Sequence, residues 1–354
     1  MKIAILNVDD TLWSATLSQL PHDVYHLSDY VALDAKRTNT FPEAFLLQEE
    51  DKIFFAPYLL RSCSNLTDCL TTEIYDVISP YGYPGILMSQ AALKNSEFPD
   101  FALAQFRRTL QEKNVCSAFL RLHPILSDEF AKVFQSDPLS ENGKTVSIDL
   151  TLDEDKIWAK TRRGHQSTIN KCMRLGLTAR TVPISEYLDE FIAIYEETMS
   201  RVKAHDDYYF GRDYFEGLLK LGDKVHLGIV EFEDEIVSAC LFFESCGIVQ
   251  AHLGGTKTEF LKQSPFNLLL HYMRLWAKAR GNQYLHIGGG VGGKKDNLYT
   301  FKSGFSKQRH DFFTLRYIID PKRYQDLLQH RAKSINKSVE DLQRSQFFPA
   351  YRAG

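Results

Sequence analysis

The chain has 354 residues, of which 44% are hydrophobic and 25% charged, and it carries 24 Phe and 17 Tyr. This composition excludes a long disordered protein and leaves ample length for two or three domains with proper cores. The formal net charge of −3 hides an asymmetry, with 12 basic and 20 acidic residues up to Leu150 and 30 basic and 25 acidic after it. The second part is the better host for an anion, but its excess is too small for a nucleic-acid groove.

In chain order, Ile3 to Val8 reads as a strand, and Asp9 or Asp10 is placed to cap a helix running to Leu20, where Pro21 stops it. Phe45 to Gln48 and Ile53 to Leu60 are β-prone runs split by Glu49-Glu50-Asp51, the pattern of a hairpin. The strand at Asp76 to Ser79 empties into Pro-Tyr-Gly-Tyr-Pro-Gly85, where Tyr81 and Tyr83 could meet a ligand or merely cover a core. Phe101, Leu103, Phe106 and Leu110 give Phe98 to Lys113 a helical period, and Val115 to Leu122 follows as a strand.

Thr145 to Leu150 alternates like a strand, and Asp153 to Lys160 opens a helix that continues or breaks near Gly164. Arg162, Arg163, Lys171 and Arg174 decorate the helical run that Gly176 closes, most simply as a solvated face. Leu227 to Phe232 and Ile236 to Glu244 flank Glu233-Asp234-Glu235, repeating the earlier hairpin. Gly247 to Leu253 is a third strand, Gly254-Gly255 opens a loop, and Ser264-Pro265 starts a helix from Phe266 to Arg280 that Gly281 ends. The order hairpin, strand, helix, strand occurs twice, so the chain reads as a diverged tandem duplication. Cys63, Cys69, Cys116, Cys172, Cys240 and Cys246 show no C-x-x-C pair and no metal-ligand spacing, and read as reduced core residues. No run approaches the roughly 20 apolar residues that span a bilayer, and the first residues lack a signal-peptide pattern. A cytoplasmic protein without a membrane span is expected.

The second part culminates in Tyr284-Leu-His-Ile-Gly-Gly-Gly-Val-Gly-Gly-Lys-Lys-Asp-Asn-Leu-Tyr-Thr-Phe-Lys-Ser-Gly-Phe305, a strand emptying into a glycine loop. Glycine lets backbone approach a ligand closely, which makes Gly289 and Gly290 candidates for substrate binding. Lys302, between Phe301 and Phe305, could aim an ammonium at an anion or a developing oxyanion. Upstream, the loop with Lys257 and Lys262 and the helix start at Ser264 could receive a pyrophosphate or carboxylate, and an acyl-CoA suits it. An ordinary capped helix with exposed lysines fits the same spacing. No P-loop or Rossmann fingerprint is present.

Together, Ser264-Pro-Phe-Asn-Leu-Leu, Ala277-Lys-Ala-Arg-Gly281, Tyr284 to Gly293 and Phe301-Lys-Ser-Gly-Phe305 resemble the FemAB-like branch of the GNAT acyltransferase superfamily, the branch of the peptidoglycan bridge aminoacyltransferases. Ser79 to Gly85, the basic helix around Ile169 to Gly176, and Thr198-Met-Ser-Arg201 with Tyr208-Tyr-Phe210 resemble further segments of that family. The resemblance implies a mixed α/β (α+β) chain with two tandem GNAT-like domains around a shared cleft. The expected bounds are 1–145 and 146–320, the latter carrying the acyl-transfer site, with a helical extension over 321–354.

The resemblance also implies transfer of an acyl group to an amine of a cell-envelope precursor, for peptidoglycan or polysaccharide biosynthesis. Lys302 matches the family's lysine in the Phe-Lys motif, and Arg201 matches an acceptor-binding arginine, with Tyr208 beside it. The donor site is expected at Gly254, Gly255, Lys257 and Ser264. His252 and His286 each offer an imidazole that could deprotonate an amine, and each also suits a core histidine, the reading favoured for His286. No tightly bound cofactor and no metal is required. The expected partners are a small-molecule acyl donor, with acyl-CoA preferred, and an amine acceptor. An aminoacyl-tRNA donor and a non-catalytic binding protein on the same fold are the alternatives.

Overall fold

A computed structural model describes residues 1–66, 73–134, 139–345 and 347–353. In chain order the described strands are β1 (Lys2–Asn7), β2 (Phe41–Glu49), β3 (Lys52–Ser62), β4 (Tyr75–Ile78), β5 (Leu87–Met88), β6 (Val115–Arg121) and β7 (Leu139–Asp149). They continue with β8 (Thr178–Val182), β9 (Val225–Phe232), β10 (Glu235–Ser245), β11 (Ile248–Thr256), β12 (Tyr284–Gly288) and β13 (Arg309–Ile318). Two units form, Met1–Asn142 with Phe312–Gly354, and Gly143–Asp311.

In the first unit, the Asp10 side chain accepts from the Leu12 N–H at 2.9 Å and starts the helix Thr11–Leu17. The predicted hairpin forms as β2 and β3, with Glu50 turning at φ 55. Helix Phe98–Glu112 lays Phe98, Ala102, Leu103, Phe106 and Leu110 on one sheet face. Phe106 sits 5.2 Å from Phe45 and 5.9 Å from Tyr58, centroid to centroid, close enough for favourable ring packing as well as area burial. Trp13, Leu17, Val31 and Ala35 cover Ala44, Leu46 and Phe55 in a separate cluster. Burial on both faces explains why β2 and β3 read as continuous apolar runs rather than as alternation. The helices expected as a C-terminal extension, Pro321–Ser334 and Val339–Arg344, contribute to this unit's cluster around Cys63, Ile74 and Cys116.

In the second unit, helix Pro265–Ala279 buries Leu268, Leu269, Met273 and Ala277 against residues of β7 and β9–β12, including Val146, Val230, Cys240, Val249 and Leu285. Helix Leu188–Arg201 packs on β10 and β11. The second predicted hairpin is β9 and β10, turning through Glu233 at φ 49 and Asp234 at φ 64.

The two units share a grammar. The first orders its strands β1-β2-β3-β4-β6-β13, antiparallel except for the parallel step β4 to β6. The second runs β8-β9-β10-β11-β12-β7, antiparallel except for β11 to β12. In each, a long helix bridges the parallel step, as a parallel pair requires. Each unit takes its last strand from the other half of the sequence, because β7 follows β6 in the chain while β13 follows β12. The chain is thus a mixed α/β protein of two units that repeat one strand order.

Three expectations need correction. Gly254 and Gly255 open no loop, because β11 continues through them to Thr256, pairing them with Cys240 and Ala239. An added Cβ would lie 2.8 Å from Cys240 Cβ at Gly254 and 2.5 Å from Thr198 Oγ1 at Gly255, so close packing demands these glycines. Cys246 is exposed while Cys63, Cys116, Cys172 and Cys240 are buried, and Cys69 lies outside the described residues. The strand at Thr145 begins earlier, at Leu139.

Candidate active site

Strand β11 is paired with β10 on both sides of a bulge at His252 and Leu253, but with its parallel neighbour β12 it shares only Ile248↔Tyr284, Val249↔Leu285 and Gln250↔His286. Beyond that rung the two strands part, β11 running on to Thr256 and β12 ending at Gly288. A parting of this kind leaves strand backbone that a ligand can address.

The glycine loop departs at this point. Gly288 turns at φ 74, and an added Cβ at Gly290 would lie 2.0 Å from the Lys294 carbonyl and 2.4 Å from Asp296 Oδ1, so any side chain there would force the loop apart. Asp296 organises it, accepting from the Val291 N–H at 2.9 Å and from the Tyr299 N–H at 2.8 Å, and so capping helix Asn297–Ser303. Burial alone would raise the Asp296 carboxyl; the Tyr299 and Val291 N–H bonds and the Lys302 charge outweigh it and hold the group below the usual carboxylate range.

Lys302, on the same helix, reaches back and donates from Nζ to the Gly289 carbonyl at 2.8 Å. The residue is partly exposed, but its ammonium end is enclosed, and burial pushes it down to about 8 against the opposing pull of Cys240 and Asp296. The geometry therefore joins Lys302, Gly289 and Gly290 in one cluster, as the sequence suggests. It also supplies Asp296, which the sequence reading missed although an Asp just before a short helical run is a cap signal.

His165 is a second missed residue. Its Nε2 donates to the Phe301 carbonyl at 2.8 Å and its ring stands 4.6 Å from that of Phe305. It fills the space that the absent side chain of Gly304 leaves, since a Cβ there would lie 2.4 Å from His165 Nε2. Arg162, read as a surface charge, bonds His165 Nδ1 at 3.2 Å. The glycine in Phe-Lys-Ser-Gly-Phe was the signal available.

The remaining candidates are placed as follows. His252 on β11 stacks on Phe243 at 4.1 Å, and its Nε2 lies 3.0 Å from the Tyr214 hydroxyl. Arg201 donates to the Thr256 carbonyl at 3.0 Å and to Thr258 Oγ1 at 2.9 Å, pinning the segment that follows β11. Lys257 is paired with Glu235. Ser264 holds φ 55 and donates to the Leu261 carbonyl at 3.1 Å, so its hydroxyl does not cap helix Pro265–Ala279. The Tyr208 carbonyl accepts from the Tyr195 hydroxyl at 2.7 Å. Tyr81 and Tyr83 belong to the first unit, where the Tyr81 N–H donates to Asp34 at 2.8 Å and the Tyr83 ring meets Phe312 edge-on at 5.3 Å. Among the described residues no group of His, Cys, Asp or Glu is placed to hold a metal ion, and no helix is long and apolar enough to cross a membrane.

Comparison with known proteins fits this geometry. Residues 159–303 match the family described as acetyltransferase (GNAT) domain, a span that takes in β8 to β12, the glycine loop and Lys302. A crystal structure of FemX resembles the chain with a TM-score of 0.68 at 13% identity, covering 92% of this chain and 99% of that one. The C-terminal domain of a putative lysylphosphatidylglycerol synthetase from Agrobacterium fabrum follows at 0.53 and 14%, covering 82% and 87%. A conserved protein of unknown function from Bacteroides thetaiotaomicron scores 0.51 at 9% identity, covering 81% and 88%. At such identities the likeness to these structures is one of fold. No curated protein matches the sequence.

The part of the chain that holds this site, residues 159–303, is thus similar to an acetyltransferase (GNAT) domain. The likeness of fold to FemX extends over both units.

Proposed function

We propose that the protein moves an acyl group from an acyl-CoA to the amine of a cell-envelope precursor, such as an amino-sugar nucleotide, in the cytoplasm. The observation that carries the donor is the acetyltransferase match across the end of β11, the segment after it and the start of helix Pro265–Ala279. No side chain caps that 15-residue helix. Its first N–H groups and positive dipole end suit a pyrophosphate. Gly254 and Gly255 are read as backbone contacts for the donor at the end of β11, with Lys257 and Lys262 following them in the chain. The acceptor is read onto Gly289, Gly290 and Arg201 of the second unit, with Tyr208 nearby in sequence.

In this reading the amine attacks the thioester carbonyl in its unprotonated form, and the thiol of the carrier departs. Backbone N–H groups and the Lys302 ammonium stabilise the oxyanion, and His252 is the candidate base on β11. No covalent acyl-enzyme is needed. An aminoacyl-tRNA donor is the second reading, favoured by the likeness to FemX over 92% of the chain.

Calorimetric titration with several acyl-CoAs, followed by mass spectrometry of transfer from acetyl-CoA to a panel of amines, separates the two. Acyl-CoA binding and acylation of an envelope amine are expected. A protein indifferent to every acyl-CoA that binds tRNA in a salt-sensitive way would transfer the argument to the second reading.

A further inference from the structure

The last rung before β11 and β12 part is a polar one. His286 on β12 and Gln250 on β11 stand opposite each other, and both are buried, as is Thr145 on β7. The Gln250 amide N–H donates to the Ala251 carbonyl at 2.7 Å, which turns its carbonyl oxygen to His286 Nδ1, with which it bonds. An oxygen at Nδ1 places the imidazole proton there and leaves Nε2 as an acceptor. Nε2 lies 2.8 Å from Thr145 Oγ1, which is therefore the donor. The direction of the chain is thus hydroxyl to imidazole to amide oxygen, the polarity of a nucleophile–histidine–amide triad.

The other titratable groups around His286 are few. His310 stands edge-on at 6.4 Å, bonded to Ser147 Oγ at 2.7 Å, and Tyr284 meets His310 edge-on at 6.1 Å. Lys144, next to Thr145 in the chain, is paired with Asp311.

A core position has no need of this arrangement. Apolar side chains would fill the space without the cost of drying three polar ones, and a polar network is tolerable there only when all of its bonds are made. Its location adds to the case. An added Cβ at Gly289 would lie 3.6 Å from Thr145 Cγ2, so Thr145 borders the glycine loop that Lys302 holds from its own helix, with its methyl towards the loop and its hydroxyl towards His286.

We propose that Thr145, His286 and Gln250 form a proton relay that serves acyl transfer, with Thr145, in place of His252, as the group that takes the proton of the acceptor amine. The inference rests on the acyltransferase reading above. As the amine nitrogen bonds to the carbonyl carbon, its proton passes to Thr145 Oγ1 while the hydroxyl proton of Thr145 passes to His286 Nε2. The imidazolium is steadied through Nδ1 by Gln250. When the tetrahedral intermediate collapses and the bond to the carrier breaks, the proton returns through Thr145 to the departing thiolate or alkoxide. Thr145 is 1% exposed and turns its methyl to the glycine loop, so the amine meets its hydroxyl only when that loop yields. His286 and Gln250 act through Thr145 and are positioning residues.

Two measurements test the relay. Nitrogen-15 NMR of the histidine-labelled free protein reads the tautomer without any substrate. A proton on Nδ1 of His286, with the Nε2 resonance shifting in Thr145→Val, is expected, whereas a proton on Nε2 would overturn the relay. With the donor and acceptor found by the amine panel, Thr145→Val should lower kcat about 10²-fold, within the range for lost general base catalysis. KM should be nearly unchanged, Thr145→Ser should recover most of the rate, and His286→Gln should lose the acid limb of the kcat/KM profile. A folded Thr145→Val enzyme with wild-type kcat would overturn it. Absence of turnover with every donor would defeat the acyltransferase reading instead, and the tautomer would still decide the relay's direction.

Discussion

Replacing Lys302 with methionine should lower turnover about 10²-fold, the scale seen when an oxyanion donor is lost. The methionine keeps most of the apolar stem between Phe301 and Phe305 and removes the donor to the Gly289 carbonyl. If the ammonium instead anchors an acceptor phosphate, KM should rise with kcat nearly unchanged. A companion effect on stability has a definite sign. The folded state holds this ammonium down to about 8 where the unfolded chain has 10.5, so between those values the unfolded state binds more protons. Wild type should therefore gain stability relative to Lys302→Met as pH rises through that window, by about 3 kcal/mol. Urea denaturation of both proteins at pH 7 and above reads it directly. A well-folded Lys302→Met enzyme with unaltered kcat and KM would remove Lys302 from the site.

The second large effect lies in the first unit. Asp76 is fully buried on β4 and holds the chain's last described segment in place. Arg61 donates to it at 2.7 Å and 3.2 Å, Arg352 at 2.8 Å, and the Tyr351 hydroxyl at 3.2 Å. Tyr351 also meets Ser117 Oγ at 2.6 Å, and Arg352 donates to the Ser62 carbonyl at 2.8 Å. Asp76→Ala leaves two guanidinium groups around a vacated carboxylate site, and breaking a buried pair on one side costs about 3–5 kcal/mol. Asp76→Asn keeps the shape and some of the bonds, and should cost less. Chemical denaturation with the slope held common checks both values, and an Asp76→Ala protein within about 1 kcal/mol of wild type would mean that the network is not what seats residues 350–353.

Much of the architecture was legible because local chemistry and global fold agree. Acidic turns at Glu50 and at Glu233-Asp234 do fall at positive φ between apolar runs, and Pro265 and Gly281 do bracket a helix. What was not legible depends on partners far away in sequence. Nothing in Arg309–Ile318 announces that this strand returns to pair with Val115–Arg121, almost 200 residues earlier, because strand pairing leaves no periodic trace. Gly254-Gly255 looked like the opening of a loop because glycine serves both loop and close packing, and only Cys240 and Thr198 reveal which. The site shows the same division. The glycine loop and Lys302 stood out within one stretch, but the partners of buried His286, Gln250 and Thr145, lie 36 and 141 residues away.

Hydrogen exchange with and without acetyl-CoA reads whether the donor binds at the parted strands of the second unit. Slowed amide exchange is expected over residues 256–270, at the end of β11 and the start of the following helix, and over 288–296 in the glycine loop. Protection confined to another part of the unit, such as the cavity of about 630 Å³ lined by Thr181, Ile184, Gly222 and His226, would contradict it.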